Sequence, residues 1–509
     1  MAETSQALSN LLIITDEASL ISQAAAVLSW DQETFLPPAA ISERAAQGAV
    51  LSALVHQRMT SDSLARCLSD LGASDAQPKG DPGLSDAEQR LVRQVWRTFS
   101  QAIKIPESFI REFSFATSEA QAAWAKAREN NDFAAFKPQL ERVVQLCVQK
   151  ASYLGTGAEA YDALLDEYEP GVKSKDLVLT FDKLAADLTL LVKEIARQPK
   201  PDTAFLKGDW PIPGQQAFGS EVLAAMGFDF QRGRLDESAH PFTTTLGRND
   251  VRITTKLYTD DFTRSLYSII HESGHALYEQ GIDLFLPSAL ASGSSLGIHE
   301  SQSRIWENII GRSQQFWTYF FPLLKTNFPD QLKGKTAADI YRAVNKVEVS
   351  GIRIYADEVT YTLHILLRFN LERALIRGEL SVADLPEAWR SESERLLGWT
   401  PVSDAEGCLQ DIHWAMGAIG YFPTYALGNL YSAMFMQKAE QEVPALWKDI
   451  EKGDLVTFRN WLHVNIHRHG LSKTPAELLA DVCHQNLTHE PFLGYIHQKY
   501  RLLYGLTEK

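Results

Sequence analysis

Two histidines four residues apart on an apolar helix constrain this chain more than any other feature. They stand in His271-Glu272-Ser273-Gly274-His275. Around them Phe262, Leu266, Ile269, Ile270 and Leu277 recur at helical spacing, Asp260 or Asp261 supplies an N-cap, and Gly281 a stop. The pattern predicts a helix from Phe262 to Gly281. Its two imidazoles project from one face, one turn apart, as two ligands of one tetrahedral zinc must. Glu272, beside the first histidine, is placed to act as general base on a zinc-activated water. The alternative is a pair of histidines that satisfy buried polar groups. With 13 histidines in 509 residues, random order yields roughly 0.02 such motifs in the chain. Gly274 adds a second signal. A glycine inside a helix costs about 1 kcal/mol relative to alanine, which implies that another part of the chain approaches the backbone there.

Two histidines leave a catalytic zinc one protein ligand short. Glu300, in Ile298-His299-Glu300-Ser301-Gln302-Ser303-Arg304, follows a Gly/Ser-rich loop (288–297) and opens another helical run, so it can descend beside the first helix. By position alone it is equally an ordinary first-turn acid favoured by the helix dipole. Glu279 is nearer in sequence, but its place close to the helix end suits a solvated or supporting carboxylate.

The rest of the chain reads as mainly α. From Leu11 to about Arg197, apolar positions recur every three or four residues, as in Leu64, Leu68 and Leu71, in Phe109, Phe113 and Phe115, and in Leu140, Val143, Val144 and Cys147. Breaks fall at Leu36-Pro-Pro, at Gln77 to Ser85, at Ile105-Pro and at Gln198-Pro-Lys-Pro. Between Gly227 and Tyr258, β-branched and aromatic runs separated by turn signals predict a small antiparallel sheet next to the motif helix. Helical pattern resumes after Asp261, apart from an irregular stretch from Trp399 to about Thr424.

Charge narrows the partners. The 49 basic and 64 acidic groups give a net charge of -15, which argues against nucleic acid or an anionic membrane as the main partner. The N-terminus lacks the pattern of a signal peptide, and no 18 apolar residues run together. Cys67, Cys147, Cys408 and Cys483 are too few and too scattered for a disulfide framework. A cytoplasmic location is expected.

Beyond the histidine motif, the chain carries His240-Pro241-Phe242, Asp250-Val-Arg252-Ile-Thr254, His299-Glu300-Ser301-Gln302, Ile352-Arg353-Ile-Tyr-Ala356-Asp357 and Gly407-Cys-Leu-Gln410-Asp411-Ile-His413-Trp414. With Trp30-Asp31-Gln32 near the start, these resemble, in order, the signatures of the carboxypeptidase Taq family of zinc metallocarboxypeptidases. The resemblance implies one zinc per subunit on His271, His275 and Glu300, with cobalt as a possible substitute, and Glu272 as general base. It also implies a large helical peptidase body with a deep groove, similar to angiotensin-converting enzyme and neurolysin, and a homodimer acting on peptides with a free C-terminus. Length alone suggests about three domains. The spread of the signatures instead predicts a single catalytic domain over 1–509, with a helical wall at about 1–200, a zinc and substrate-binding part at about 228–430, and C-terminal helices at about 431–509.

The remaining roles go to polar residues in those signatures. Tyr425 and His413 are the candidate donors to the tetrahedral oxyanion, since their spacing resembles the donors of neurolysin-like peptidases, with Tyr421 as the alternate. Either tyrosine could instead simply pack in the core. Arg353, and second Arg252, are the candidates for the substrate α-carboxylate, which a guanidinium fork matches best. An i,i+4 pair with Asp357 is the plainer reading of Arg353. Gln410 and Asp411 bind substrate or orient His413, and His240 and Phe242 border the groove, although His-Pro-Phe in isolation is more often a strand-end turn. The predicted activity is stepwise release of C-terminal residues with broad specificity. A zinc oligoendopeptidase with the same centre is the alternative. A non-catalytic protein with a structural metal is disfavoured, because such a metal is normally closed by four protein ligands.

Overall fold

The computed structural model describes residues 2–506 except Thr156 and Ala158. Helices dominate it, and the predicted breaks fall between them. The helix Asp62–Asp70 and the helix Asp86–Lys104 flank the loop that contains Gln77 to Ser85, and Ser85 starts the second of these with a reciprocal capping box to Glu88. Ile105-Pro separates Asp86–Lys104 from Glu107–Asn130. Most of the predicted apolar positions are buried, Leu64, Leu68, Leu71, Val143 and Cys147 among them, but Phe115 is 67% exposed. It is two residues from Phe113, a spacing that puts it round the helix from the buried Phe109.

Two cores hold the molecule. The larger runs from Ala120 to Tyr504 and contains the motif helix, whereas a smaller one gathers Leu11, Leu64, Leu68, Leu91, Val92 and Val95 around Leu290. Leu290 lies just before the helix that carries Glu300, so the N-terminal helices brace the loop leading into it. The first helix, Ala2–Thr34, packs on its neighbours Ile41–Met59 and Asp62–Asp70 and on the sheet. Its stretch Thr4–Thr34 is long and apolar enough to cross a membrane by length and composition, and Ile13, Leu20 and Val27 along it are exposed.

The sheet is mixed, where an antiparallel one was expected. Strands β1 (Gly233–Glu237), β2 (Thr243–Gly247) and β3 (Asp250–Thr255) lie in the order β1-β3-β2. β2 and β3 form the antiparallel hairpin that the Asn249-Asp250 turn signal suggests, but β1 pairs parallel to β3. The reason is the link from Ser238 to Phe242. It carries the chain past the end of β3 to the opposite edge, so β1 and β2 cannot pair with each other. Register then sets the faces. Thr243 pairs with Ile253 and Thr245 with Val251, so the two threonines share the face of the fully buried Val251 and Ile253, and Arg252 points to the other side.

Asp261 caps the motif helix Phe262–Gly281 through its side chain, which accepts from the Thr263 N–H. Gly274 is where the predicted close approach occurs. A Cβ there would sit 2.6 Å from the Gln302 carbonyl oxygen and the Ser303 Cα, in the helix Leu296–Arg304. On that helix's other side lies Pro423–Glu442, where a Cβ at Gly428 would meet Glu300 Cγ at 2.5 Å. Two glycines thus let Glu300 be sandwiched between helices.

Candidate metal centre and active site

His271, His275 and Glu300 converge, with one donor atom from each within 4.8 Å of the others. Glu300 Oε2 is 3.7 Å from His271 Nε2 and 3.5 Å from His275 Nε2. The other ring nitrogens face away toward partners of their own. His271 Nδ1 donates to Glu307 Oε2 at 2.8 Å. His275 Nδ1 meets His299 Nδ1 at 2.6 Å, and His299 Nε2 meets Glu279 Oε1 at 2.9 Å. If each ring donates toward Glu279, both motif histidines are left with a bare Nε2 lone pair aimed at the common point, the tautomer that ligation requires.

Charge around this point favours a cation. Burial disfavours a charged His271, but Glu300 and Glu307 outweigh it and push the imidazole up to about 9, so a bound cation would take the place of that proton. Burial holds His275 down at about 4, with its Nε2 bare. Burial likewise opposes ionisation of Glu307 and Glu300, yet Arg304 and His271 hold Glu307 down at about 2 and Glu300 below the usual carboxylate range. Arg304 makes these contacts directly, with Nε donating to Glu300 Oε1 at 2.7 Å and Nη1 to Glu307 at 3.4 Å. Glu307 reaches His271 from a π-helical turn, Ile305–Ile310, that continues the Glu300 helix. Such a widened turn shifts the side-chain phase by about one position.

Glu272 sits beside the cluster on the motif helix. Thr243 on β2 donates to its Oε2 at 2.7 Å, and Thr245 on the same face donates to Glu279 at 3.1 Å. The sheet therefore fixes two carboxylates of the motif helix through one row of hydroxyls. Burial raises the Glu272 carboxyl above its ordinary value.

A second polar cluster lies next to the first. Arg353 is buried, and its Nη2 and Nε donate to Asp411 Oδ1 at 2.8 and 3.1 Å. Arg368, fully buried on the helix Glu358–Ile376, donates through Nε to Asp411 Oδ2 at 2.7 Å. Two guanidiniums sharing one carboxylate leave a buried net positive charge. The clusters are linked, since Arg353 Nη1 donates to the Tyr361 hydroxyl at 3.2 Å and the Arg304 guanidinium lies 4.2 Å from the Tyr361 ring centre.

The irregular segment and the first turn of the helix Pro423–Glu442 border these clusters. Tyr425 OH is 3.5 Å from His413 Nε2, and the Tyr421 ring lies 5.3 Å from that of Tyr425 and 5.4 Å from His413. Burial, reinforced by repulsion from Arg353 and Arg368, pushes His413 down to about 4, so its ring is neutral near pH 7. Burial also raises both tyrosines, Tyr425 far above its ordinary value, and the negative charge of Glu300 adds to the effect in each.

Several sequence candidates occupy other places. Asp357 does not pair with Arg353. It caps the helix Glu358–Ile376 by accepting from the Val359 and Thr360 N–H groups at 2.9 and 3.0 Å, and Arg353 lies in a separate short turn. Gln410 accepts from the Arg353 N–H at 3.0 Å, and Asp411 holds the two arginines, so their bonds go to Arg353 and not to His413. Arg252 stands across the sheet from the motif helix, fixed on Asp250 by two 2.8 Å hydrogen bonds and over the Trp30 ring at 4.3 Å. His240 is exposed in the link between β1 and β2, and Phe242 next to it is half-buried.

A family model described as carboxypeptidase Taq (M32) metallopeptidase matches residues 10–500. The chain belongs to the M32 family. It is 42% identical over 507 residues to thermostable carboxypeptidase 1 of Thermus thermophilus, covering 97% of this chain and 98% of that protein. It is 38% identical over 487 residues to carboxypeptidase 1 of Bacillus subtilis, covering 95% and 96%. Among solved structures, the M32 carboxypeptidase from Deinococcus radiodurans R1 superposes with a TM-score of 0.94 at 40% identity, covering 99% of this chain and 100% of that one. Metallocarboxypeptidase 1 of Trypanosoma cruzi does so at 0.92 and 32% identity, covering 97% and 99%.

As an M32 protein the chain is a metallocarboxypeptidase, and the family implies a catalytic metal. The histidine and glutamate cluster fits one. Tetrahedral ligation at 2.0–2.1 Å puts donor atoms about 3.3 Å apart, close to the 3.5 and 3.7 Å seen between Glu300 and the two histidines. Sequence reasoning missed the supporting groups of this M32 site, namely Glu307, Arg304, His299, Thr243, Tyr361 and Arg368. Arg304 had a readable signal in its i,i+4 spacing from Glu300, and His299 in the signature His299-Glu300-Ser301-Gln302, which gave it no role of its own.

Proposed function

We propose that the M32 metal is zinc, with cobalt able to replace it, held as one ion per chain by His271, His275 and Glu300. When bound, such an ion supplies Lewis-acid chemistry, polarising a carbonyl and making water a stronger acid. Glu272 takes the proton from the water that attacks the last peptide bond and delivers it to the leaving amine nitrogen. Thr243 occupies one Glu272 oxygen and leaves the other to do this, and the upward push of burial on the carboxyl suits a group that must hold a proton between the two transfers. Tyr425 keeps its proton and donates to the developing oxyanion, with neutral His413 beside it. Tyr421 packs against both and is the alternate donor.

The observation that carries the exopeptidase reading is Arg353, a buried cation whose neighbours Tyr361 and Arg304 lead directly to Glu300. It pairs with the substrate α-carboxylate, and Asp411 and Arg368 keep it in place. Arg252, at the far face of the sheet, supports the site through Asp250 and Trp30. Residues are removed one at a time, with broad side-chain specificity. The free cysteines support a reducing, cytoplasmic location. The family resemblance supports a homodimer. One catalytic unit over 1–509 is supported by the large core that joins the metal site to the helices from Ala120 onward and by the smaller core that ties the earlier helices to Leu290.

The test is a peptide offered as free acid and as C-terminal amide. The free acid should lose residues stepwise from its C-terminus, and a chelator should stop the loss. Equal cleavage of acid and amide would refute the role of Arg353.

A further inference from the structure

Glu372 lies on the helix Glu358–Ile376, one turn after Arg368, with no exposed surface. Three donors reach it. The Tyr161 hydroxyl and the Gly420 N–H donate to Oε2 at 2.8 and 3.1 Å, and Trp414 Nε1 donates to Oε1 at 2.9 Å. Trp414 immediately follows His413, and Gly420 immediately precedes Tyr421. The stretch between them is turn without helix or strand. The backbone bonds within it are local ones, from the Gly417 N–H to the Trp414 carbonyl and from the Ala418 N–H to the His413 carbonyl, which do not tie it to the rest of the fold. Gly420 takes φ +93°, and a Cβ there would lie 2.8 Å from the backbone of Leu164 and Leu165, in the same short helix, Ala160–Asp166, that supplies Tyr161. One carboxylate thus clasps both ends of the loop and the helix beneath it.

We propose that Glu372 is a positioning residue that sets His413, Tyr421 and Tyr425 against the metal centre. The proposal rests on the reading of Tyr425 and His413 as oxyanion donors. Arg368 and Glu372 divide the work of their helix. Arg368 fixes Asp411 and through it Arg353, upstream of the loop, while Glu372 fixes the loop itself. Disturbing Glu372 therefore changes the donors to the oxyanion and leaves recognition of the α-carboxylate intact.

Glu372→Gln tests this. An amide that turns its oxygen to Tyr161 and Gly420 must set its NH2 against the Trp414 N–H, two donors face to face. In the metal-loaded full-length enzyme we expect kcat to fall by about tenfold or more, with KM for a free-acid peptide and metal content unchanged. Adding Trp414→Phe removes the opposing donor, so the double variant should recover kcat over Glu372→Gln alone. An unchanged kcat in Glu372→Gln, a parallel change in KM, or a double variant no better than the single would overturn the proposal. If Glu372→Gln does not fold, Trp414→Phe alone carries the test, with a lowered kcat at constant KM expected and an unchanged kcat overturning it. Tyr425→Phe reports separately on the underlying reading. An unchanged kcat there removes the oxyanion role, whereas a loss there with none in Glu372→Gln overturns the positioning role only.

Discussion

Arg353 and Asp411 share two hydrogen bonds to a single oxygen, Oδ1, at 2.8 and 3.1 Å, while Arg368 takes the other oxygen. The carboxylate is therefore fully used in holding guanidiniums, and burial with two cations leaves the pair short of one negative charge. In the proposed function a substrate α-carboxylate supplies it. Arg353→Lys keeps the charge but loses the fork. It should lower kcat/KM for free-acid peptides by about 10- to 100-fold, given about 1.5–3 kcal/mol for a hydrogen bond to a charged group. Steady-state kinetics on acid and amide peptides checks this, since the amide should be little affected.

Glu307 reaches the metal site through His271 Nδ1, and through Arg304, which it shares with Glu300. Such outer partners typically set metal affinity by 10–100-fold, and Glu307→Gln should weaken affinity by about that much. Competition with a chromogenic chelator measures it. Glu279→Gln should act the same way, through His299 and His275.

The sequence made the centre of this site legible because its signals are local. Asp261, the apolar spacing and Gly281 bound the motif helix, and the cost of Gly274 announced the backbone of Gln302 and Ser303. What it hid depends on contacts between distant segments. Asp411 is 58 residues from Arg353, and nothing local links them, so the nearby Asp357 was the natural partner to expect. Glu307 escaped because the π-helical turn that aims it at His271 leaves no mark in the sequence. The place of Arg252 was readable, since Val251 and Ile253 on either side of it mark the core face of the strand. The parallel β1 was not, because its order depends on how the link around His240 crosses β3.

Gly274→Ala puts a methyl group 2.6 Å from the Gln302 carbonyl oxygen. Overpacking of this kind costs about 1–3 kcal/mol, more than the helix propensity gained. The variant should melt at lower temperature and bind metal more weakly, because the helices that carry His275 and Glu300 are forced apart. Calorimetry with and without metal separates the two effects.

Glu169 ties down the start of the Glu300 helix, accepting from Ser295, Gly297 and Tyr431 at 3.0, 3.0 and 2.8 Å. Burial nevertheless pushes its carboxyl from 4.5 up to about 7. The folded state thus binds this proton more tightly than the unfolded chain. The associated stability is fully present below pH 4.5 and is lost as pH rises through about 7. At one pKa unit per 1.36 kcal/mol this amounts to on the order of 3 kcal/mol. Thermal unfolding at pH 5.5 and pH 8 should show a smaller difference for Glu169→Gln than for the wild type.

The most direct measurement is metal stoichiometry and turnover in Glu272→Gln. The account predicts that this variant folds, binds as much metal per chain as the wild type through His271, His275 and Glu300, and hydrolyses a free-acid peptide about 10²- to 10⁴-fold more slowly. Full metal with wild-type turnover would contradict the assignment of Glu272 as the proton acceptor, and with it the catalytic centre described for this chain.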